Sequence, residues 1–152
     1  MIEPFPWSDA FAVGDDRLDD EHRRMVDLIN QVCTSVIIEQ HDKKASLLNE
    51  LLAISEVHFR HEEALLVKVA TEIDQHHLRT TVLTAIEAHA DEHGRGLEAL
   101  REIVEKSRAA RVHADELKHC EEMKAWFIDH TIGYETQVKT ILQSSRHLRP
   151  VS

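Results

Sequence analysis

The chain has 152 residues, of which 28 are acidic and 18 are basic, and its net charge is −10 with histidine neutral. This acidity, without any Lys/Arg-rich run, argues against a surface that binds nucleic acid or an anionic membrane. No apolar run approaches the ~20 residues of a membrane span, and the N-terminus lacks the basic and apolar regions of a signal peptide. We therefore expect one soluble, cytoplasmic domain that covers residues 1–152.

Helix breakers are scarce, which favours long helices over a sheet rich in turns. The chain contains four glycines and three prolines, and all three prolines lie near the ends. Residues 1–15 are expected to form a non-helical arm that packs its large apolar side chains across the helices. The spacing of apolar residues then predicts an all-α fold, an up-down-up-down bundle of four helices. We place the helices at about 19–39, 43–68, 75–108 and 114–146.

The first predicted helix follows acidic residues that suit a helix N-terminus, namely Asp15, Asp16, Asp19 and Asp20. Its inward stripe consists of His22, Met25, Val26, Ile29, Val32, Cys33, Val36 and Ile37. A histidine therefore opens an otherwise apolar face. The two cysteines of the chain, Cys33 and Cys120, fall on such faces, and we expect reduced core thiols rather than a thiolate metal site.

The second predicted helix carries the segment His58-Phe59-Arg60-His61-Glu62-Glu63. Positions 48, 51, 55, 58, 62 and 65 recur at the helical step and share one face. Three of these positions are leucine, yet His58 and Glu62 also belong to the face. Burying a histidine or a carboxylate without a partner is costly, and a bound metal ion is one partner that satisfies both.

The third and fourth predicted helices also place polar groups on their inward faces. His89 and His93 are one turn apart on the third helix and point the same way, a spacing suited to binding one metal ion. Gly96 lies in the same helix, which it weakens locally without having to break it. The inward stripe of the fourth helix contains His130, with Glu135 five residues further on.

Every predicted helix therefore contributes at least one histidine to the core, and two of them add a carboxylate. The candidate metal ligands are His22, His58, Glu62, His89, His93, His130 and Glu135. One metal ion rarely takes seven such ligands, whereas two metal ions bridged by two carboxylates use all of them. Imidazole and carboxylate ligands without thiolate fit iron, manganese or zinc. A single core histidine is more often a packing residue, but five on the core stripes favour a metal site over a purely structural bundle.

These residues lie in ordered motifs that resemble those of the hemerythrin family, specifically the bacteriohemerythrins, and the resemblance extends from residue 7 to residue 135. The motifs are Trp7, Val13-Gly14, Leu18-Asp19-Asp20-Glu21-His22, His58-Phe59-Arg60-His61-Glu62-Glu63, His89-Ala90-Asp91-Glu92-His93 and Trp126-Phe127-Ile128-Asp129-His130. The resemblance implies a four-helix bundle, the topology for which myohemerythrin is a standard example. It also implies two Fe ions per chain, in an oxo- or hydroxo-bridged di-iron centre that binds O2 reversibly.

The resemblance further implies a role for each ligand. One iron ion would take His89, His93 and His130. The other would take His22 and His58 and keep a vacant position for O2, and Glu62 would bridge the two. The residues that would line the O2 position are Met25, Phe59, Trp126, Phe127 and Thr131.

Glu135 departs from the family pattern, which usually has an aspartate five residues after the fourth-helix histidine. In an α-helix, a residue five positions after His130 points about 140° away from it, so helix geometry alone does not select Glu135 as a metal ligand. Glu135 could bridge the irons, bind one of them or stay off the metal. Phe127 and Thr131 also stand where the family usually has leucine and isoleucine.

The segment from Glu62 to His89 is a second departure, because it is longer than in the family by about three helical turns. We expect an extended hairpin between the second and third helices, with Thr71 or Asp74 as the cap of the third. His76 and His77 also fall in this segment, without partners four residues on, and we expect them on the surface.

Several functions are compatible with this pattern. The resemblance favours O2 storage, delivery or sensing by a protein that has O2 as its ligand and is not an enzyme. We expect a monomer, because small bundles of this kind are self-sufficient. The alternatives are a di-iron redox enzyme (an oxidase, a peroxidase or a nitric-oxide-handling protein) and an iron donor for repair. Glu135 and Thr131 favour such redox chemistry, since carboxylate-rich di-iron bundles tend towards it. A fused sensor is not expected, because residues 147–152 leave no room for a signalling domain.

Overall fold

The computed structural model describes residues 5–148, which contain helices and no β-strand. The α-helices are α1 (Asp16–Ile37), α2 (His41–Thr71), α3 (His76–Ala109), α4 (His113–Ile128) and α5 (Glu135–Leu148). A π-helical segment, Asp129–Tyr134, joins α4 to α5, and a short 3-10 helix, Asp9–Phe11, precedes α1. The α4, π and α5 segments follow one another without a gap and are called the fourth rod below.

Helices α1, α2 and α3 and the fourth rod form a four-helix bundle. Each helix packs against the next one in the chain, and α4 packs against α1 and closes the ring. This confirms the predicted all-α fold and its up-down-up-down order. None of the described helices is long and apolar enough to cross a membrane.

The start and end of α1 are fixed by local backbone chemistry. The side chain of Asp15 accepts a hydrogen bond of 3.0 Å from the backbone N–H of Leu18, so the helix begins earlier than the predicted residue 19. At the other end, Glu39 has a φ of 57°. This left-handed conformation is costly for any residue with a Cβ and ends the helix at Ile37.

The hairpin between α2 and α3 also differs from the prediction in detail. The residue before α3 is Gln75, which makes no capping side-chain hydrogen bond, so the predicted caps Thr71 and Asp74 are wrong. Instead, the guanidinium of Arg79 donates hydrogen bonds of 2.9 and 2.6 Å to the carbonyl of Ile73 and closes the turn. A loop carbonyl just beyond α2 is thereby paired with the first turn of α3.

The sequence predicts one continuous α-helix over residues 114–146, but the fourth helix is not uniformly α-helical. Its middle is the π-helical segment, where hydrogen bonds run from residue i to residue i+5 instead of i+4. Residues five apart then come close to the same face, as residues four apart do in an α-helix. His130 and Glu135 have this spacing.

The N-terminal arm packs across the bundle. Phe5 and Phe11 are buried, and both rings lie edge-on to Phe127 at centroid distances of 5.5 and 5.2 Å. The Asn30 side chain fixes the arm by accepting from the backbone N–H of Phe5 at 2.6 Å and donating to its carbonyl at 2.7 Å. The arm is predicted as non-helical, and the 3-10 helix is a short exception; its residues 1–4 lie outside the described part of the chain.

Two apolar clusters lie on opposite sides of the buried histidines along the bundle. On α1 the order is Leu18, then His22, then Met25, and on the antiparallel α2 the order is reversed. The larger cluster includes Met25, Leu28, Ile29, Val32, Cys33, Leu48, Leu51, Phe59, Leu100, Val104, Cys120, Met123 and Phe127. The smaller cluster consists of Val13, Leu18, Leu66, Val69, Ala70, Ile86, Val138 and Leu142 and lies between the hairpin and α5. Both cysteines are buried as free thiols.

Candidate metal centre

The seven predicted ligands lie together in one buried layer of the bundle, and none is more than 5% exposed. Their ligand atoms form two groups, in each of which all atoms lie within 4.8 Å of one another. The first group is His22, His58, Glu62, His130 and Glu135, and the second is Glu62, His89 and His93. Glu62 belongs to both groups, so the two are adjacent.

The Glu135 carboxylate lies among three imidazoles. Its Oε1 is 2.6 Å from Nε2 of His130 and 3.0 Å from Nε2 of His58. Its Oε2 is 2.7 Å from Nε2 of His22. In an α-helix, residues five apart point in different directions, whereas in a π-helix they lie near the same face. His130 and Glu135 are five apart across the π-helical segment, so both side chains reach the same point in the core.

The Glu62 carboxylate also lies among three imidazoles. Its Oε1 is 2.9 Å from Nε2 of His93 and contacts Nε2 of His89. Its Oε2 is 3.3 Å from Nε2 of His58, four residues earlier on the same helix. Both carboxylates therefore contact His58, and the two groups form one continuous layer.

Several ligand atoms in this layer have no properly aligned hydrogen bond. Among the described residues, these buried atoms include Nε2 of His22 and His130, Oε2 of Glu62 and Oε2 of Glu135. Buried polar atoms are nearly always paired, so such a concentration requires another partner. Convergent imidazole nitrogens and carboxylate oxygens are the donor set of borderline divalent metals, which the layer therefore fits.

The other nitrogen of the His22 ring shows which way the ligand atom faces. Its Nδ1 lies 2.7 Å from the backbone carbonyl of Phe11, in the arm. A carbonyl only accepts, so Nδ1 is the donor, and in a neutral ring the Nε2 lone pair then faces the core layer. Metal-binding histidines are usually oriented by this kind of contact.

Carboxylates orient two further histidines. His58 donates from Nδ1 to Glu21 at 3.1 Å, and His93 donates from Nδ1 to Glu63 at 3.0 Å. Glu21 also accepts from Nδ1 of His61 at 2.6 Å. These contacts leave the Nε2 atoms of both candidate ligands directed at the layer, and they raise the basicity of the rings.

The surroundings of the two buried carboxylates lower the pKa of each. Burial would raise the pKa of Glu62, but its contacts with Glu135, His58 and the α3 histidines outweigh burial and hold the pKa well below its ordinary value. Burial likewise opposes ionisation of Glu135, yet the nearby His130 lowers its pKa to about 2. For His58, burial favours the neutral ring, but contacts with Glu135 and Glu21 raise its pKa well above the ordinary value. Without a metal ion, a protonated His58 therefore balances part of the carboxylate charge, a role that a bound cation would take over.

Aromatic rings flank the layer on two sides. Phe59 stacks on His93 with ring centroids 4.1 Å apart and an interplanar angle of 6°. Phe127 lies edge-on to His22 at 5.8 Å. These two predicted pocket residues therefore contact different histidines, one on α3 and one on α1.

Trp126 lies on the α3 side of the layer. Its ring is parallel to that of His130, at 13° and a centroid distance of 5.9 Å, and its Nε1–H donates to the carbonyl of Gly96 at 2.8 Å. The hydroxyl of Thr131 donates to the carbonyl of Phe127 at 2.9 Å, within its own helix. Met25 is fully buried in the larger apolar cluster.

Some supporting groups were not among the predicted site residues. Glu21 directly precedes His22, and Glu63 directly follows Glu62. Both belong to the family-like motifs, but the sequence pattern predicted no role for either at the site. Asp19 accepts from the backbone N–H of Val13 at 2.7 Å and holds the arm beside α1. The carbonyl that orients His22 belongs to the arm and has no side-chain signature.

The fold and this layer define a class of protein: a helical bundle whose core can hold non-haem metal ions through histidine and carboxylate ligands. A family model described as the hemerythrin HHE cation binding domain matches residues 13–139. The chain therefore belongs to the hemerythrin family, which its motifs predict. Domains of this family bind non-haem iron.

Individual relatives are similar over a shorter stretch. Hemerythrin-like proteins of Naegleria gruberi and Naegleria fowleri are each 36% identical over 66 residues, which cover 43% of this chain and 50% of the relative. A bacteriohemerythrin of Clostridium acetobutylicum is 30% identical over 69 residues, which cover 43% of this chain and 54% of the relative. The chain thus spans about half the length of the curated relatives it matches.

Proposed function

We propose that this protein is a non-haem di-iron protein that binds O2 reversibly, for storage, delivery or sensing. One iron ion would be held by His89, His93 and His130, the other by His22 and His58, with Glu62 and Glu135 as bridges. All seven ligands come from one chain, so the centre requires no second copy. We further propose that the protein acts as a monomer in the cytoplasm.

The positions of the two carboxylates carry this proposal. Glu62 contacts the α3 histidines and His58, which belong to different irons in the proposed assignment. Glu135 likewise contacts His130 of the first iron and His22 of the second. A carboxylate placed between the imidazoles of two metal ions is what a bridging ligand requires.

The chain's own residues would control access to the centre. Bound as a diferrous pair, iron would supply two electrons and a coordination position for O2. His22 and His58 give the second iron only two imidazoles, which leaves room for a small ligand beside them. Phe127 and the arm residue Phe11 form an apolar wall next to His22, where Phe127 lies edge-on to both rings. Such a wall keeps water and protons away, which slows oxidation of the centre and favours release of O2 unchanged.

The test is anaerobic iron reconstitution followed by visible spectra on adding and removing O2. We expect two irons per chain by elemental analysis, and a charge-transfer band that appears with O2 and disappears when O2 is removed. His130→Ala should lose iron and the band. His76→Ala, which removes an exposed histidine of the hairpin, is the matched control and should retain both.

Two outcomes would contradict the proposal. A content of one iron or none after full reconstitution would refute the di-iron centre. Two irons with immediate conversion to a stable diferric spectrum, and no reversible band, would refute O2 carriage and indicate a redox enzyme or redox sensor. Glu135→Asp and Thr131→Ile would then be the first changes to examine, because both restore the usual family residue.

A further inference from the structure

The two cysteines of the chain meet at the interface between α1 and α4. Cys33 lies on α1 and Cys120 on α4, and these two helices pack against each other. Both thiols are free and belong to the larger apolar cluster, where Cys33 is 5% exposed and Cys120 is fully buried. A thiol–thiol hydrogen bond joins the two side chains. The fold thus brings two cysteines that are far apart in sequence into direct contact.

The register of the two helices places the thiols at the same depth in the bundle. The rings of His22 and His130 lie at one level, with centroids 6.0 Å apart. Cys33 follows His22 by eleven residues, and Cys120 precedes His130 by ten. Because the helices are antiparallel and rise about 1.5 Å per residue, both thiols lie about 15–17 Å from the ligand layer, towards the same end of the bundle. The contact is therefore set by the register of two rigid helices.

A pair of thiols in contact has a chemistry that a single buried thiol lacks. Each cysteine alone would serve as a small apolar core residue. Together, the two sulfurs can be joined by oxidation, for which they must close from hydrogen-bond contact to about 2.05 Å. Disulfides of this kind inside cells are usually transient and respond to oxidants.

The two thiols differ in acidity, which assigns a role to each. The hydrogen bond from Cys120 and the nearby Lys124 ammonium lower the pKa of the Cys33 thiol, against the effect of burial. The same hydrogen bond, together with burial, raises the pKa of Cys120. The thiolate is the nucleophile in thiol oxidation, so Cys33 reacts first and Cys120 is the thiol that attacks it afterwards.

The size of the oxidant is limited by the position of the pair near the edge of the core. Both thiols feel the charges of Lys124 and Glu121. These two side chains form an ion pair of 3.2 Å, and that of Glu121 is 64% exposed. A bulky oxidant does not reach a sulfur that is 5% exposed, whereas hydrogen peroxide is little larger than water and needs only small side-chain motions.

We propose that Cys33 and Cys120 are a redox-active pair that hydrogen peroxide converts into a disulfide between α1 and α4. The Cys33 thiolate attacks one peroxide oxygen, the O–O bond breaks, and the departing hydroxide takes up a proton to form water, which leaves Cys33 as a sulfenic acid. The Cys120 sulfur then attacks the Cys33 sulfur. The S–S bond forms, the S–O bond breaks, and the hydroxyl group leaves as a second water with the Cys120 proton. Two thiols are thereby oxidised by two electrons, and one peroxide is reduced to two waters.

The disulfide would join two helical rods that both carry candidate ligands. His22 lies on α1, and His130 lies just beyond α4. A disulfide acts mainly by restricting unfolded and opened states, and more strongly when the loop it closes is long. Oxidation therefore stabilises the fold and slows the separation of α1 from α4 that loss of a metal ion requires. The effect on metal loss rests on the proposed metal centre, whereas formation of the disulfide does not.

The test treats the purified, metal-containing protein with hydrogen peroxide, alkylates the free thiols after denaturation and counts them by mass spectrometry. We expect two alkylated thiols before treatment and none after it, with a monomer mass lower by two hydrogens. Dithiothreitol should restore both thiols. Cys33→Ala and Cys120→Ala are the matched controls, since each keeps one thiol, and neither should form a disulfide within the chain.

Denaturant titration and metal transfer measure the consequence. The disulfide form should unfold at a higher guanidinium midpoint than the reduced form. Peroxide should slow metal transfer to an excess of chelator at least about tenfold more in the unmodified protein than in Cys33→Ala. Two persistent thiols in the folded protein under excess peroxide, a disulfide between two chains, or equal midpoints for the two forms would overturn the proposal. The thiol count needs no bound metal, so its failure is distinguishable from failure of the metal centre.

Discussion

Removal of the Glu135 side chain is the sharpest test of the proposed bridge. In Glu135→Ala, three imidazole Nε2 atoms lose a carboxylate that lies 2.6, 2.7 and 3.0 Å away. Loss of a group that only supports a metal ligand costs about 10–100-fold in affinity. A direct bridging ligand should cost at least as much, or about 1.4–2.8 kcal/mol. We therefore expect this variant to keep at most one iron per chain after desalting.

Two further variants distinguish the effects of the charge, the length and the volume of the Glu135 side chain on iron binding. Glu135→Gln keeps the volume and one oxygen ligand but removes the negative charge, and should bind iron more weakly than the unmodified protein. Glu135→Asp keeps the charge and should retain both irons, since the family usually has aspartate here. The assay is iron per chain by elemental analysis after anaerobic reconstitution and gel filtration, with circular dichroism to verify folding. Two irons per chain in a folded Glu135→Ala protein would refute the bridging role.

Three other substitutions test separate features. Glu21→Gln removes the carboxylate that orients His58, and should lower metal affinity by about 10–100-fold in competition with a chelator; unchanged affinity would show that the contact is incidental. Thr131→Ile replaces a buried residue whose hydroxyl donates to the Phe127 carbonyl with a larger apolar side chain. This variant should slow autoxidation, seen as slower decay of the oxygenated spectrum; equal decay would refute this. Glu39→Gly relieves a left-handed residue and should raise the free energy of unfolding by about 0.5–1 kcal/mol in denaturant titration, whereas Gln40→Gly, at a residue with negative φ, should not.

The helical spacing of the sequence was sufficient to predict most of the centre. His22, His58, Glu62, His89 and His93 lie on the inward stripes of regular α-helices, so their positions follow from the 3.6-residue repeat. The same repeat predicts the four-helix fold, because few breakers interrupt it. These two predictions required only local periodicity and the burial of apolar faces.

Glu135 could not be placed by the same reasoning, because it depends on a local change of helix type. An α-helical step of five residues turns Glu135 away from His130, and the π-helical segment removes that offset. Nothing in the sequence from Asp129 to Tyr134 predicts a π-helix rather than an α-helix. The contact between His22 and the Phe11 carbonyl was equally inaccessible, since the path of the arm is set by packing of its aromatic rings on Phe127.

The two apolar clusters that flank the ligand layer affect how a bound metal ion could leave. On each helix of the bundle, the candidate ligands lie between buried apolar residues. Leu66 and Val138 lie on the side of the α2–α3 hairpin, and Met25 and Leu100 lie towards the opposite end of the bundle. Fraying at either end of the bundle therefore does not uncover the layer, because the apolar clusters lie between the layer and both ends. Release of a metal ion through either end of the bundle would then require cooperative opening of the helices rather than local motion of a loop. Val69 and Ala70, at the end of α2, belong to the smaller cluster, so a metal ion bound in the layer would be shielded at the end of the bundle where the arm enters α1.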